Sequence, residues 1–258
     1  MKRAGIVALN TFREAVRDRV LYSLVFFALL MMAAAVLVGQ ISIGIEQTVI
    51  VNLGLSAISV IGLLISVFLG VALVSKEMDK RTLYALLAKP VRRWEFLLGK
   101  FGGLVLTLAV NTAAMAAGLF VVMLYVKHSL EQSDAVVLVA VYFILLKLAM
   151  IVALALLFSC FTTPLLAILY TSGLYVVGLY VQELRNLPLD TMSPGMAAFL
   201  KWFSYFLPNF ENFNVMAMAA YGRAVPAALI LQNTLYAIIY CLVVLTAAAA
   251  VFSRRNLK

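Results

Sequence analysis

The chain has 258 residues, of which 65% are hydrophobic and 12% are charged, and its formal net charge at pH 7 is +9. A soluble domain carries roughly 25% charged residues, so a chain this apolar cannot hide its side chains in one water-soluble core, and we expect it to lie in a lipid bilayer. The basic residues cluster at the ends of long apolar stretches, which excludes the continuous basic surface typical of nucleic-acid binding.

Residues that commonly carry catalysis are scarce. The single histidine, His128, falls in a short loop, and Cys160 and Cys241 lie inside apolar stretches without paired spacing. No G-x-x-x-x-G-K-[ST] motif occurs, because Gly99-Lys100 lacks both the earlier glycine and the following Ser or Thr. We therefore predict no catalytic residue, no metal site and no nucleotide bound by this chain.

Residues 1–19 predict an amphipathic helix in the membrane interface. Ile6, Leu9, Phe12 and Val16 share one helical face, while the other face carries arginines that reach lipid headgroups. The alternative is a plain lead-in to the first span. The apolar run that follows is too long for a cleavable signal peptide, so we expect this segment to be retained.

Residues 20–258 predict an all-α integral membrane domain with six transmembrane helices. Each apolar stretch is close to or above the roughly 20 residues that a spanning helix needs. Gly54, Gly62 and Gly70 recur every eight residues, which would put them near one helical face and predicts close helix packing. The predicted spans lie near residues 20–42, 51–75, 101–126, 135–160, 164–182 and 225–253.

Charge asymmetry predicts the orientation of the spans. Fifteen of the 20 Lys and Arg residues lie in the first 19 residues, in the loop between spans two and three, and in the C-terminal tail. Basic residues accumulate on the cytoplasmic side of a membrane, so we expect both termini and this loop to be cytoplasmic.

Lys147 stands alone in the middle of the fourth predicted span. A lysine at mid-span costs about 2.5–3.5 kcal/mol on insertion scales, so it should face protein or water rather than lipid. One interpretation places it in a translocation pathway, where it meets an anionic substrate or a carboxylate. The other is a structural lysine that is satisfied by carbonyls or hydroxyls between packed helices.

The docking segment, residues 76–100, is the longest run of mixed charge. Within it Leu83, Leu86 and Leu87 follow the i, i+3, i+4 rule of a helix with one apolar face, Asp79 can cap that helix, and Pro90 ends it. The pattern favours a cytoplasmic helix that docks into a groove on a partner. A solvated loop whose charges only fix topology is the alternative.

Residues 183–224 form the longest predicted region outside the spans. Ser193-Pro194 is typical of a helix start, and Leu207-Pro208-Asn209 of a helix stop. We interpret the region as two short helices at the outer surface, which either dip into the bilayer or form a lid over the spans. The aromatic residues that predict the first helix are Phe199, Trp202, Phe203 and Phe206.

The docking segment also carries a sequence motif, formed by Glu77, Thr82-Leu83, Leu86-Leu87, Pro90, Arg92 or Arg93, and Gly99-Lys100. In this order and within a six-span frame, the motif resembles the segment between spans two and three of ABC-2 type permeases. The stretches Tyr205 to Asn214 (YFLPNFENFN) and Phe252 to Leu257 (FSRRNL) add to the resemblance, which covers essentially the whole chain. The subgroup that it resembles most is the NosY-like permeases of multicopper-enzyme maturation systems.

This resemblance implies a permease subunit of an ATP-binding-cassette exporter in the inner membrane of a prokaryote. Two permease chains, identical or different, would pair, and each would contact a separate ATPase subunit that binds ATP and Mg²⁺. Lipid would be the other partner. The residues implied in coupling to the ATPase are Glu77, Asp79, Arg81, Thr82, Leu83, Leu86, Leu87, Pro90 and Arg92.

Two other classes of membrane protein were weighed against this interpretation. An integral membrane enzyme usually shows acidic, His or Ser/Lys groups near a membrane face, and the predicted spans contain no carboxylate and no histidine. A secondary transporter without an ATPase needs ionisable groups inside its spans, and only Lys147 offers one. Both classes fit the residues less well than an ABC permease does.

Overall fold

A computed structural model describes residues 2–17, 19–41, 44–79, 93–127, 131, 134–186 and 193–254. The regular structure in these residues is helical. Its elements are α1 (Lys2–Val16), α2 (Arg19–Ile41), α3 (Glu46–Asp79), α4 (Arg93–Lys127), α5 (Ala135–Ser159), α6 (Pro164–Leu179), α7 (Val181–Arg185), α8 (Pro194–Phe206), a 3-10 helix (Glu211–Phe213), α9 (Met216–Ala220) and α10 (Ala227–Arg254).

Four of these helices are long and apolar enough to cross a membrane. The qualifying stretches are Glu46–Leu73, Trp94–Lys127, Ala135–Ser159 and Ala227–Ser253, and Leu24–Gly39 and Pro164–Leu179 are shorter apolar helices. The prediction of an all-helical, multi-pass membrane protein is therefore confirmed. The count of six spans stays a prediction.

The centre of the bundle is formed by α3 and α5. Every side chain from Met150 to Leu156 of α5 is buried, so this helix is covered on all sides in its C-terminal half. An added Cβ at Gly62 of α3 would come within 2.5 Å of Leu148, and one at Gly70 within 2.9 Å of Ala155. The two helices thus run in the same direction with their backbones close together, as small residues allow.

The three glycines of α3 do not all face the same helix. Gly62 and Gly70 contact α5, whereas an added Cβ at Gly54 would clash with Leu119 of α4. The prediction of close packing at these glycines is confirmed. The expectation that they lie near one helical face is wrong, because each step of eight residues turns the face of an α-helix by about 80°.

The two ends of the bundle differ in composition. We call the end where α3 finishes and α4 begins the basic end, because the docking segment lies there; α1 packs against the start of α4 at this end. The opposite end holds the start of α3, the finish of α4 and the start of α5, with the 3-10 helix and α9 packed on them. Each end therefore gathers a different set of predicted functional residues.

Helix boundaries follow the local sequence signals. Pro164 and Pro194 occupy the first turn of α6 and α8, after Thr163 and Ser193, and α8 stops at Phe206 before the predicted break. At the basic end the helices exceed the predicted spans, because α3 continues to Asp79 and α4 begins at Arg93. Each therefore projects beyond the roughly 20 residues needed to cross lipid.

Candidate functional site

The docking segment is described at its two edges. Glu77 and Asp79 belong to the last turns of α3, and α4 begins at Arg93. The central residues of the predicted coupling helix lie outside the described residues, namely Arg81, Thr82, Leu83, Leu86, Leu87, Pro90 and Arg92. The described geometry that bears on docking is therefore that of α3 and α4, the two helices that flank the segment.

Near its start, α4 packs tightly against α1 along a seam. A Cβ added at Gly99 would lie 2.6 Å from the Cβ of Val7, and one added at Gly103 would lie 2.5 Å from the carbonyl oxygen of Ala8. The α1 residues on this seam are small or half-buried, whereas Ile6 is 61% exposed on another face. The helix thus has a third face, which packs on α4, besides the apolar and polar faces read from the sequence.

Lys100 lies beside this seam and is buried, with 2% of its surface exposed. Its Nζ is 3.7 Å from the Glu14 carboxylate of α1 and 5.8 Å from the centre of the Phe96 ring. Phe96 in turn stacks on Phe252 near the end of α10, with ring centres 6.3 Å apart. The start of α4 is therefore joined both to α1 and to α10.

Sequence reasoning assigned Lys100 only to a motif and did not foresee this arrangement. The available signal was the pair of glycines four residues apart, Gly99 and Gly103, together with the alanines four residues apart in α1, Ala4 and Ala8. Small residues spaced by four on each of two helices indicate a close crossing.

Lys147 lies inside the bundle, 5% exposed. Its Nζ donates a 2.7 Å hydrogen bond to the Ser59 hydroxyl of α3 and stands 5.9 Å from the centre of the Tyr175 ring of α6. Glu211 of the 3-10 helix is the acidic group whose charge acts on it. The lysine thus faces protein, as its position in a span requires.

A turn that precedes the last long helix packs on the helices around Lys147. Phe210 and Phe213 are buried, and their rings contact Tyr175 at 5.4 Å and Phe143 at 6.2 Å respectively. The backbone N–H of Phe210 donates to the carbonyl of Gly178 at 3.0 Å. Residues 207–215, which we call the inner turn, therefore pack as a plug between α5, α6 and α10 rather than as an exposed helix.

The aromatic face predicted just before this turn has the opposite character. Trp202 is 79% exposed, Phe206 is 88% exposed and Phe203 is 44% exposed on α8. The side chain of Phe199 lies outside the described part of the structure. The two aromatic groups of this region are thus separated, one inside the bundle and one on its surface.

A buried carboxylate organises the opposite end. Asp134 accepts hydrogen bonds from Lys127 Nζ at 2.9 and 3.1 Å, from the backbone N–H of Glu131 at 2.9 Å and from Gln47 Nε2 at 3.3 Å. It joins the start of α3, the finish of α4 and the start of α5. From the sequence we expect Lys127, Glu131 and Asp134 in a short outer loop; the hydrogen bond to Gln47, 87 residues away, has no local sequence signal.

An apolar groove of about 240 Å³ lies among α2, α3 and α6. It is lined by Leu21, Leu24, Phe68, Leu69, Pro164 and Ile168, among others. In the described part of the chain no three His, Cys, Asp or Glu side chains come together as a metal site. Cys160 and Cys241 are both buried in the helix bundle.

Comparison with protein families gives one assignment. A family model described as "ABC-2 family transporter protein" matches residues 6–257. A comparison with curated proteins finds no match. The match spans α1 to α10 and includes both edges of the docking segment. The chain therefore belongs to the ABC-2 family of transporter proteins and is a membrane component of an ABC transporter.

Proposed function

We propose that the chain is the permease subunit of an ABC exporter and that it receives the energy of ATP hydrolysis from a separate ATPase subunit. The family match over residues 6–257 carries this proposal. The sequence adds that the chain has no phosphate-binding loop of its own. The NosY-like subgroup, which the docking segment suggests, stays a prediction.

The contact with the ATPase is assigned to the docking segment. Two helix boundaries support this assignment. α3 continues to Asp79 and α4 begins at Arg93, so both helices lead directly into the docking segment. Leu83, Leu86 and Leu87 would anchor the contact through apolar burial, and the charged residues around them would set its orientation. These charged residues are Glu77, Asp79, Arg81 and Arg92.

The chain crosses the membrane six times in this proposal. The 23 residues of α2 make a helix of about 34 Å, longer than the roughly 30 Å hydrocarbon core. The 16 residues of α6 reach about 24 Å, and α7 follows after a break at Tyr180. With six spans, the basic end and both termini lie in the cytoplasm, and α8 lies at the outer surface.

Two permease chains pair in this proposal, and lipid covers the apolar surface that the pairing does not bury. The exposed faces of α2 and α6 support a second chain there, since Phe26 and Leu37 of α2 and Leu165 and Leu169 of α6 all project from the bundle. On α8, the exposed Trp202 and Phe206 suit the lipid interface at the outer surface. Closure of the ATPases would tilt one bundle against the other and open a route outward.

Lys147 anchors helices in this proposal, because its contacts with Ser59 and Tyr175 join α3, α5 and α6 within one chain. The translocation pathway is its second candidate role. Lys147→Met separates the two roles: anchoring predicts lower thermal stability, whereas a pathway role predicts lost transport at unchanged membrane yield.

The proposal is tested by co-purification from native membranes. We expect an ATPase with a Walker A motif to co-purify with the wild-type chain and to be lost from Leu86→Asp/Leu87→Asp, because two carboxylates replace the apolar anchor. Trp202→Asp/Phe206→Asp is the matched control, since it places the same charges on exposed residues of α8 and should retain the ATPase. Equal retention by both double variants would remove the docking segment from the contact.

A further inference from the structure

Lys100 is the one described lysine at the basic end whose side chain is almost completely buried, with 2% of its surface exposed. A buried ammonium is retained only when other groups compensate for its lost hydration. Here the Glu14 carboxylate at 3.7 Å and the Phe96 ring at 5.8 Å contribute to that compensation. Its position, at the last residue of the docking segment and against α1, suggests a role beyond stability.

The seam beside Lys100 holds the backbones of α1 and α4 close together. Gly99 and Gly103 bring the α4 backbone against Val7, Ala8 and Thr11 of α1 so closely that not even a Cβ fits without a shift. A seam of small residues has few side chains that project into the neighbouring helix. By itself it fixes the distance between the helices better than their register.

The ion pair supplies the missing register. Glu14 lies one turn beyond the small residues that meet Gly103, and its side chain is 49% exposed, so the carboxylate reaches inward to Lys100 from the rim. A charge pair that is buried on one side is screened less than an exposed pair. Rotating or sliding α1 would separate these two charges and leave the Lys100 ammonium buried without this carboxylate.

The same turn of α4 also reaches the last long helix. Phe96 precedes Lys100 by one turn and stacks on Phe252 of α10 with an interplanar angle of 20°. Three elements that are distant in sequence therefore meet within the first two turns of α4. Any displacement imposed on the start of α4 acts on all three together.

We propose that Lys100 is a positioning residue that clamps α1 to the start of α4, so that α1, the first turns of α4 and the last turns of α10 move as one rigid unit when the ATPase displaces the docking segment. The inference rests on the proposed function for the source of that displacement. The clamp itself is a property of the single chain. α1 is then part of the coupling machinery and not only an anchor in the interface.

The clamp is tested first in the purified chain without a partner. In a background with Cys160→Ala and Cys241→Ala, spin labels are placed at Gly5→Cys, where nothing lies within 4 Å, and at Trp94→Cys, which is 44% exposed. We expect one narrow distance distribution in this background and in Lys100→Arg, and a broad one in Lys100→Met. Glu14→Gln gives a second, milder variant at a half-exposed residue, so that a folding defect of Lys100→Met does not decide the result.

The role in coupling is tested in the complex with the ATPase. A fluorophore at Tyr221→Cys, 65% exposed at the opposite end, reports the response of the outer region to ATP. We expect Glu14→Gln to keep ATP hydrolysis within about twofold while the ATP-dependent signal falls by about half or more. Arg13→Gln, which removes an exposed charge from the neighbouring residue of α1, should leave both unchanged.

The two failures are distinguishable. An unchanged narrow distribution in both Lys100→Met and Glu14→Gln overturns the clamp and leaves the proposed function intact. Parallel loss of hydrolysis and outer signal overturns the positioning role, since Lys100 would then only hold the fold. Broad distributions in these variants, combined with failure of any ATPase to bind the chain, would retain the clamp and reject the proposed function.

Discussion

Lys147 of α5 donates a 2.7 Å hydrogen bond to the hydroxyl of Ser59 in α3, and both residues are 5% exposed. The bond joins the two most deeply packed helices at the level where Gly62 lets them approach. It explains how a lysine is tolerated in the middle of an apolar helix. Substitution of the lysine and substitution of the serine should change stability differently, because the two partners of this hydrogen bond are not equivalent.

Ser59→Ala should lower the free energy of unfolding by about 1–2 kcal/mol, because it leaves a buried ammonium without this acceptor. Lys147→Met should leave the serine able to donate to a carbonyl of its own helix. The double variant should therefore lose less than the sum of the single variants. Thermal unfolding in detergent, followed by the reaction of buried Cys160 and Cys241 with a thiol dye, measures all four proteins. Additive losses would mean that the hydrogen bond contributes nothing to stability.

Gly178→Ala tests the plug formed by the inner turn. Its Cβ would lie 2.5 Å from the Phe210 ring and 2.7 Å from the Pro208 carbonyl oxygen, so the turn must shift. Overpacking of this kind costs about 1–3 kcal/mol. Gly173→Ala in the same helix is the control, because nothing lies within 4 Å of an added Cβ there, and it should be neutral or slightly stabilising. The same thermal assay compares them, and equal stability of the two variants would argue against a packed inner turn.

Features that depend on local rules were predicted well from the sequence. Proline geometry accounts for the starts of α6 at Pro164 and of α8 at Pro194, and for the end of α8 just before Leu207-Pro208. The close packing of Gly54, Gly62 and Gly70 follows from the space that a missing Cβ provides. These signals lie within a few residues of the feature that they determine.

Features that depend on distant partners were not predicted. Phe206 and Phe210 belong to the same aromatic run, yet one is 88% exposed and the other 1%. The difference arises because Gly178 opens a place for Phe210 in α6, which the local pattern around residue 210 does not reveal. The burial of Lys100 and Asp134 likewise depends on Glu14 and Gln47, far away along the chain.

Asp134→Asn should weaken the junction of α3, α4 and α5. The asparagine keeps an acceptor for Gln47 but loses the charge that pairs with Lys127 at 2.9 Å, so we expect a loss of about 1–3 kcal/mol. Glu131→Gln removes a carboxylate that is 68% exposed and 3.9 Å from the same lysine. Such an exposed pair contributes about 0–1 kcal/mol, so this control should change the unfolding temperature little. An equal effect of both variants in thermal unfolding would mean that burial of Asp134 does not strengthen its pair.

The orientation of the bundle can be measured with two single cysteines in the background that lacks Cys160 and Cys241. Tyr221→Cys lies at the opposite end, where the Ala220 carbonyl accepts a 3.4 Å hydrogen bond from Thr48 at the start of α3. Lys89→Cys lies in the docking segment. Because Lys and Arg accumulate on the cytoplasmic side, a membrane-impermeant maleimide added to intact cells should label Tyr221→Cys at once and Lys89→Cys only after permeabilisation. The reverse pattern would place the docking segment outside the cell, where no ATP-hydrolysing partner could reach it, and the proposed coupling would have to be abandoned.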